Sequence, residues 1–127
     1  MDYLMDAHVF LWFLYDEKRI SEKSAKIIYD RRIKKYISYA SLWEIAIKNR
    51  IGKLDLENGM ADIFNEISSN GFGIAGIDIL HIDVYNKLPL IHRDPSDGMI
   101  IATAIMEKMT VITSDENIQK YDVKWVW

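Results

Sequence analysis

The sequence predicts an α/β fold, with a mainly parallel sheet of four to five strands covered by helices on both faces. Three observations carry this. Apolar runs of strand length recur at Tyr3–Met5, Tyr36–Ser38, Gly73–Leu80 and Thr110–Thr113. Between them lie stretches whose apolar residues repeat at helical spacing. The chain has 127 residues, half of them apolar and 28% charged, which suits one globular domain over residues 1–127. Strands that alternate with helices join through βαβ crossovers, and these bury a parallel sheet between helical layers.

Tyr3-Leu4-Met5 is stopped by Asp6, and the apolar stretch through Leu14 that follows reads as the first helix. Ile20–Arg32 sets Ala25, Ile27, Ile28 and Tyr29 among charges behind Ser21, a good N-cap, and predicts an amphipathic helix. Tyr36-Ile37-Ser38 is the second strand. Ser41-Leu42-Trp43-Glu44 matches the S-x-x-E capping box, so the next helix is expected from Ser41 through Ile45, Ala46 and Ile47 towards Gly52. A helix from about Leu56 to Ser69 ends at Asn70-Gly71, a C-terminal stop. Gly73–Leu80 is the third strand, and Asp83 is expected to cap a brief helix ending before Pro89. Asp94-Pro95 then places an N-cap acid before proline at the first helical position of a helix running to about Lys108. Thr110–Thr113 is the fourth strand, with its turn at Ser114-Asp115. In the tail, Tyr121, Val123, Trp125 and Trp127 alternate with Asp122, Lys124 and Val126, the pattern of an edge strand.

Composition excludes several chemistries. There is no cysteine, hence no disulfide, thiolate metal site or thiol nucleophile. The formal charge of −3 argues against a protein that coats nucleic acid by charge alone. Basic clusters at Arg31–Lys35 and Lys48–Lys53 still leave local positive surface, although cations at helix C-termini are also stabilising in their own right. Asp2 and Asp6 interrupt the N-terminal apolar stretch, and no apolar run is long enough for a bilayer. A soluble, cytoplasmic protein with no membrane partner is expected.

The acids carry the functional signal. Asp6 follows the first strand, Glu44 follows the second, Asp115 follows the fourth, and Asp97 lies in the first turn of the helix feeding the fourth. In an open parallel sheet, ligands bind beyond the carboxyl ends of the strands. Four carboxylates converging there repel one another unless a cation joins them. Oxygen ligands without thiolates select Mg²⁺ or Mn²⁺, ions that activate water and neutralise charge at a phosphodiester. Against this, acids in a helix's first turn are favoured by capping and by the macrodipole alone. Asp6, which ends an apolar strand, is the one least readily explained by capping.

The order of motifs is then familiar. Leu4-Met5-Asp6-Ala7-His8-Val9-Phe10-Leu11-Trp12, Ser41-Leu42-Trp43-Glu44-Ile45-Ala46-Ile47-Lys48, Leu88-Pro89-Leu90, the stretch from His92 to Ala104, and Val111-Ile112-Thr113-Ser114-Asp115 resemble successive segments of the PIN-domain ribonucleases. The likeness to the VapC-like toxins of toxin–antitoxin pairs covers nearly the whole chain. It implies a three-layer α/β/α fold and a metal-dependent endoribonuclease, dimeric and silenced by a cognate antitoxin. The family's acidic quartet falls on Asp6, Glu44, Asp97 and Asp115. Asp6 and Asp97 are implied as the principal Mg²⁺ ligands, with Glu44 and Asp115 acting directly or through water. Thr113 matches a polar position beside that acidic pocket, and Ser41 is taken as a second supporting polar residue. Lys48 and Arg93 are candidate RNA contacts, although a solvated helix end and an exposed polar loop explain them at least as well. Ala7 stands where many relatives carry a hydroxyl, and Gly98 where arginine is common.

Other readings have sequence tests. A receiver-type domain needs an acidic pair after the first strand and a lysine after its last, and a haloacid-dehalogenase-type phosphatase needs D-x-D. Asp6-Ala7-His8 and Ser114-Asp115 satisfy neither. The remaining rival is a non-catalytic PIN-like module that binds RNA or protein without cutting. The histidines are scattered, and His8 is expected as a packed or rim residue. Trp12, Trp43, Trp125 and Trp127 are expected as core or interface anchors. Met60, Ile63, Phe64 and Ile67 are read as core first and as a groove for an antitoxin helix second. The pair before the apolar run of the last long helix divides by role. Asp94 is the N-cap, and Asp97, one turn on, points to the rim.

Overall fold

The computed structural model describes residues 1–127. Five strands form one sheet: β1 (Tyr3–Met5), β2 (Lys35–Ser38), β3 (Gly73–Ala75), β4 (Thr110–Ile112) and β5 (Trp125–Val126). Their order is β3-β2-β1-β4-β5, and every pairing is parallel. The helices are α1 (Ala7–Tyr15), α2 (Glu22–Tyr29), α3 (Tyr39–Arg50), α4 (Met60–Ser69), α5 (Ile79–Asn86), α6 (Pro95–Glu107) and α7 (Glu116–Gln119), with a short 3₁₀ turn at Glu17–Arg19.

Strand alternation sorts the apolar side chains onto two faces. Met5, Ile37 and Ile112 face a cluster completed by Val9, Phe10, Leu42, Ile45, Ile63, Ile67 and Phe72. Their strand neighbours Leu4 and Val111 face the opposite cluster, with Ile100, Ile101, Ala104, Ile118 and Tyr121. One helical layer is thus α1 to α4 and the other is built on α6 and α7, the α/β/α sandwich the motifs imply. No helix is long and apolar enough to cross a membrane.

The topology positions a crevice. From β1 the chain moves outward to β2 and β3, then returns to the far side of β1 as β4. The switch point therefore lies between β1 and β4, where ligands of open α/β sheets bind. Because α6 leads straight into β4, it runs antiparallel to that strand. Its N-terminus consequently sits at the carboxyl rim.

Several local expectations change. The start of α3 is not the Ser41 box: Ser38 caps the helix by accepting from the Ala40 N–H, and Ser41 is buried two residues inside. Glu44 is therefore in the second turn rather than the first. α4 begins at Met60 behind Gly59, whose φ of 64° is a left-handed conformation suited to glycine, so residues 57–59 are turn and Leu56 precedes them. β3 ends at Ala75, since its register with β2 ends at Ser38. Asp78 rather than Asp83 caps α5, in a box closed by the His81 ring. Asp83 lies within α5 and pairs with Lys87. The turn at Ser114-Asp115 continues into α7, which the sequence reading did not contain. α2 stops at Tyr29, and Lys35, expected on a solvated helix end, is buried with its ammonium donating to the Ile27 and Asp30 carbonyls. Ile63 and Ile67 are core as expected, whereas Phe64 is exposed.

Candidate active site

Asp6 and Asp115 follow strands and Asp97 lies in the first turn of α6, whereas Glu44 sits in the second turn of α3; the only group of three whose ligand atoms lie within 4.8 Å of one another is His92, Asp94 and Asp97. Asp6 leaves β1 and its backbone N–H bonds to the Ile112 carbonyl of β4, which places it at the switch point. Its side chain is buried and has two partners. Oδ1 accepts from the Val9 N–H, capping α1, and Oδ2 accepts from the Thr113 hydroxyl. Asp6 is thus an N-cap as well as a rim acid, contrary to the expectation that capping explains it least. Thr113 also accepts from the Asp115 N–H, so one hydroxyl ties the ends of β1 and β4 together. Asp115 caps α7 through the Asn117 N–H.

Asp94 is the N-cap that the sequence suggests. One oxygen of Asp94 accepts from the Ser96 and Asp97 N–H groups at 2.9 and 3.2 Å, with Pro95 at the first helical position. Asp97 caps nothing. Burial, followed by the charges of Asp94, Asp115, Asp6 and Glu44, pushes its carboxyl up to about 7. Burial also raises Asp6, opposed by the Thr113 hydroxyl, the Val9 N–H and His8, and reinforced by Asp115. Asp97 thus feels the charges of Asp94 and of the other three acids, and Asp6 that of Asp115.

Glu44 presents a buried oxygen, Oε2, with no hydrogen bond. Its nearest positive charge is Lys48, 3.6 Å away, one turn along α3. Lys48 also lies 3.5 Å from His8 Nε2. This lysine is paired with one acid of the site, Glu44, whereas Arg93 is exposed on the loop before Asp94. Ser41 is fully buried and its hydroxyl has no partner.

One contact escaped the sequence reading. His92 Nε2 lies 3.1 Å from Asp97 Oδ2. Ligand atoms of His92, Asp94 and Asp97 come within 4.8 Å of one another, although Asp94 is already engaged as the cap. The available signal was positional: His92 is two residues before the N-cap, where the entering chain can fold back beside the first helical turn.

The donor set fits a hard divalent cation. It consists of carboxylate oxygens, one of them (Glu44 Oε2) buried without a hydrogen bond 3.6 Å from the Lys48 ammonium, around an acid whose ionisation is suppressed by burial and then by like charges. Beside it runs an apolar groove of about 560 Å³ lined by Tyr39, Trp43, Ile77, Ile82, Tyr85 and Met99. Trp43 is 67% exposed, so it is a surface residue and not a core anchor.

Solved structures show the same fold. A chain of the VapBC2 structure from Rickettsia felis, bound to a promoter DNA fragment, superposes with a TM-score of 0.77 at 14% identity, covering 99% of this chain and 98% of that one. The FitAB structure bound to IR36 DNA gives 0.68 at 21% identity, covering 98% and 93%. VapBC-1 from nontypeable Haemophilus influenzae gives 0.67 at 18%, covering 99% and 97%. No curated protein sequence matches the chain significantly. The PIN domain family model matches residues 3–124; together with the parallel sheet and its acidic switch point, that match establishes that the chain belongs to the PIN domain family.

Proposed function

We propose that this protein is a metal-dependent endoribonuclease, the toxin of a toxin–antitoxin pair, which hydrolyses RNA phosphodiester bonds and is inhibited by a cognate antitoxin. The observation that carries this reading is Asp97, an acid buried at the start of α6 whose carboxyl is pushed up by burial and then by the charges of Asp94, Asp115, Asp6 and Glu44 around it. A protein does not gain stability from such an arrangement. A divalent cation converts that repulsion into attraction.

Asp6 and Asp97 would be the main ligands of Mg²⁺ or Mn²⁺, with Glu44 and Asp115 acting directly or through water. When bound, the ion supplies positive charge for the phosphate oxygens and a water of lowered pKa. Thr113 keeps Asp6 oriented across the switch point. Lys48 and Arg93 are the cations nearest in sequence to site acids and would meet RNA phosphate at the rim.

The partners follow from the neighbours and from the surface. VapBC and FitAB structures share the fold, which supports an antitoxin partner. The exposed Tyr39, Trp43, Ile79, Leu80, Ile82 and Tyr85 of α3 and α5 support a protein-covered face, here assigned to a second copy of the chain in a homodimer. A cytoplasmic location goes with this role.

A second reading, a PIN module that binds but does not cut, draws support from the capping work of Asp6, Asp94 and Asp115. Purified protein incubated with RNA separates the two. Cleavage with Mg²⁺ or Mn²⁺, abolished by EDTA and strongly reduced in Asp97→Asn and Glu44→Gln, is expected. Cleavage unaffected by chelator, or none with either metal, would sink the nuclease reading. Growth arrest on expression, relieved by the product of the neighbouring gene, is the matching test of the toxin role.

A further inference from the structure

We propose that His92 is a positioning residue for Asp97, holding one carboxylate oxygen so that the other is presented to the metal, with Tyr121 as the clamp that fixes His92. The inference rests on the metal-site reading above. The imidazole Nε2 is 3.1 Å from Asp97 Oδ2, and this is the only side-chain partner of the Asp97 carboxylate. No lysine or arginine reaches Asp97.

The imidazole sits on a loop, yet that loop is anchored. The His92 N–H donates to the Tyr121 hydroxyl at 2.9 Å, and the same hydroxyl donates back to the His92 carbonyl at 3.3 Å. Tyr121 is buried in the core with Ile118, beneath α7. Asp115 caps α7, so the clamp joins the loop that orients Asp97 to the element that carries another acid of the quartet. Asp97 itself begins a helix whose cap is Asp94. Its backbone is thus set by Asp94 and its side chain by His92.

A role as metal ligand fits the geometry less well. Of the three groups whose ligand atoms come together, Asp94 is committed to two backbone N–H groups and His92 Nε2 to Asp97. Carboxylate ligands that are themselves hydrogen-bonded keep their orientation, and removing such partners typically weakens metal binding about 10–100-fold.

The test is Mn²⁺ titration of the full chain by calorimetry, with Asp97→Asn as the reference for a lost ligand. His92→Ala is expected to weaken Mn²⁺ affinity about tenfold or more. His92→Gln, whose amide nitrogen reaches about where Nε2 lies, is expected to bind close to wild type. His92→Asn is too short and is expected to behave like alanine; the Asn–Gln comparison stands even if His92→Ala fails to fold. Tyr121→Phe should weaken binding in the same direction. Unchanged affinity in His92→Ala overturns the proposal, and so does a glutamine variant as weak as alanine, which would make the imidazole a ligand. Wild type that binds no Mn²⁺ removes the metal reading itself, a result distinct from a wild type that binds and variants that do not differ from it.

Discussion

Replacing Asp97 by asparagine is expected to stabilise the metal-free protein, and increasingly so as pH rises. Asp97 is pushed from 3.8 up to about 7, by burial first and then by Asp94, Asp115, Asp6 and Glu44. A raised carboxyl pKa means that the unfolded chain releases its proton first. Stability therefore falls as pH climbs from about 4 to about 7 and levels off above that. A shift of about three units corresponds to at most about 4 kcal/mol. Relaxation of the neighbouring acids and loss of the charged contact to His92 reduce the gain, and the difference between pH 4.5 and pH 8 is expected at about 1–3 kcal/mol. For a chain of this length that is roughly 3–5 °C in Tm per kcal/mol. Urea denaturation in EDTA at the two pH values measures it. A stability difference that does not change with pH, or an asparagine variant less stable than wild type at pH 8, would refute the claim that the quartet acts on Asp97. Added Mn²⁺ should then stabilise wild type and leave the variant largely unmoved.

Three further perturbations separate structural from chemical roles. Asp94→Ala orphans the Ser96 and Asp97 N–H groups and is expected to cost about 1–2 kcal/mol in thermal or urea unfolding. Thr113→Val leaves the buried Asp6 oxygen and the Asp115 N–H without their shared partner; a loss of about 1–3 kcal/mol and weaker Mn²⁺ binding are expected together, and loss of stability alone would make Thr113 purely structural. Trp43→Ala removes an exposed ring, so unfolding of the isolated chain should change by about 0.5 kcal/mol or less, while self-association measured by sedimentation should weaken.

What the sequence revealed depended on whether the deciding physics was local. Asp94-Pro95 identified the start of α6 to the residue, because an N-cap acid and a proline at the first helical position need only each other. The S-x-x-E box at Ser41 failed because Ser38, three residues earlier, is an equally good cap and already lies at the end of β2. Tertiary burial of Ala40, Ser41 and Leu42 settled the choice, and no local pattern carries that information. Likewise Gly73–Leu80 read as one apolar run, but only the three residues with partners in β2 form strand, and Asp78 begins a helix inside the expected strand. The ends of β1 and β4 were readable from the apolar runs, which located Asp6 and Asp115, whereas Glu44 was expected one turn too early because the start of α3 was misplaced. His92 could not be placed, since its partner depends on how a loop closes over α6 and on Tyr121, 29 residues away.

The departure at Gly98 illustrates how a local change is answered elsewhere in the fold. Gly98 stands where the family resemblance leads one to expect arginine, and it lies at the start of α6 directly after Asp97. A Cβ built on Gly98 would overlap the ring edge of Tyr85 on α5. The glycine thus lets α5 pack close beside the start of α6, and Tyr85 occupies space that a side chain would take. Within a helix, alanine is normally favoured over glycine by about 0.5–1 kcal/mol. Gly98→Ala should nevertheless destabilise wild type by about 1–2 kcal/mol, because the Tyr85 ring or α5 must move. In a Tyr85→Ala background the same change should stabilise by about 0.5–1 kcal/mol, restoring the ordinary helix preference. The coupling read from the full cycle is then about 2 kcal/mol, well above the few tenths expected of independent sites. Additive effects would mean that the ring swings aside at no cost, and that packing of Tyr85 is not what holds glycine next to Asp97.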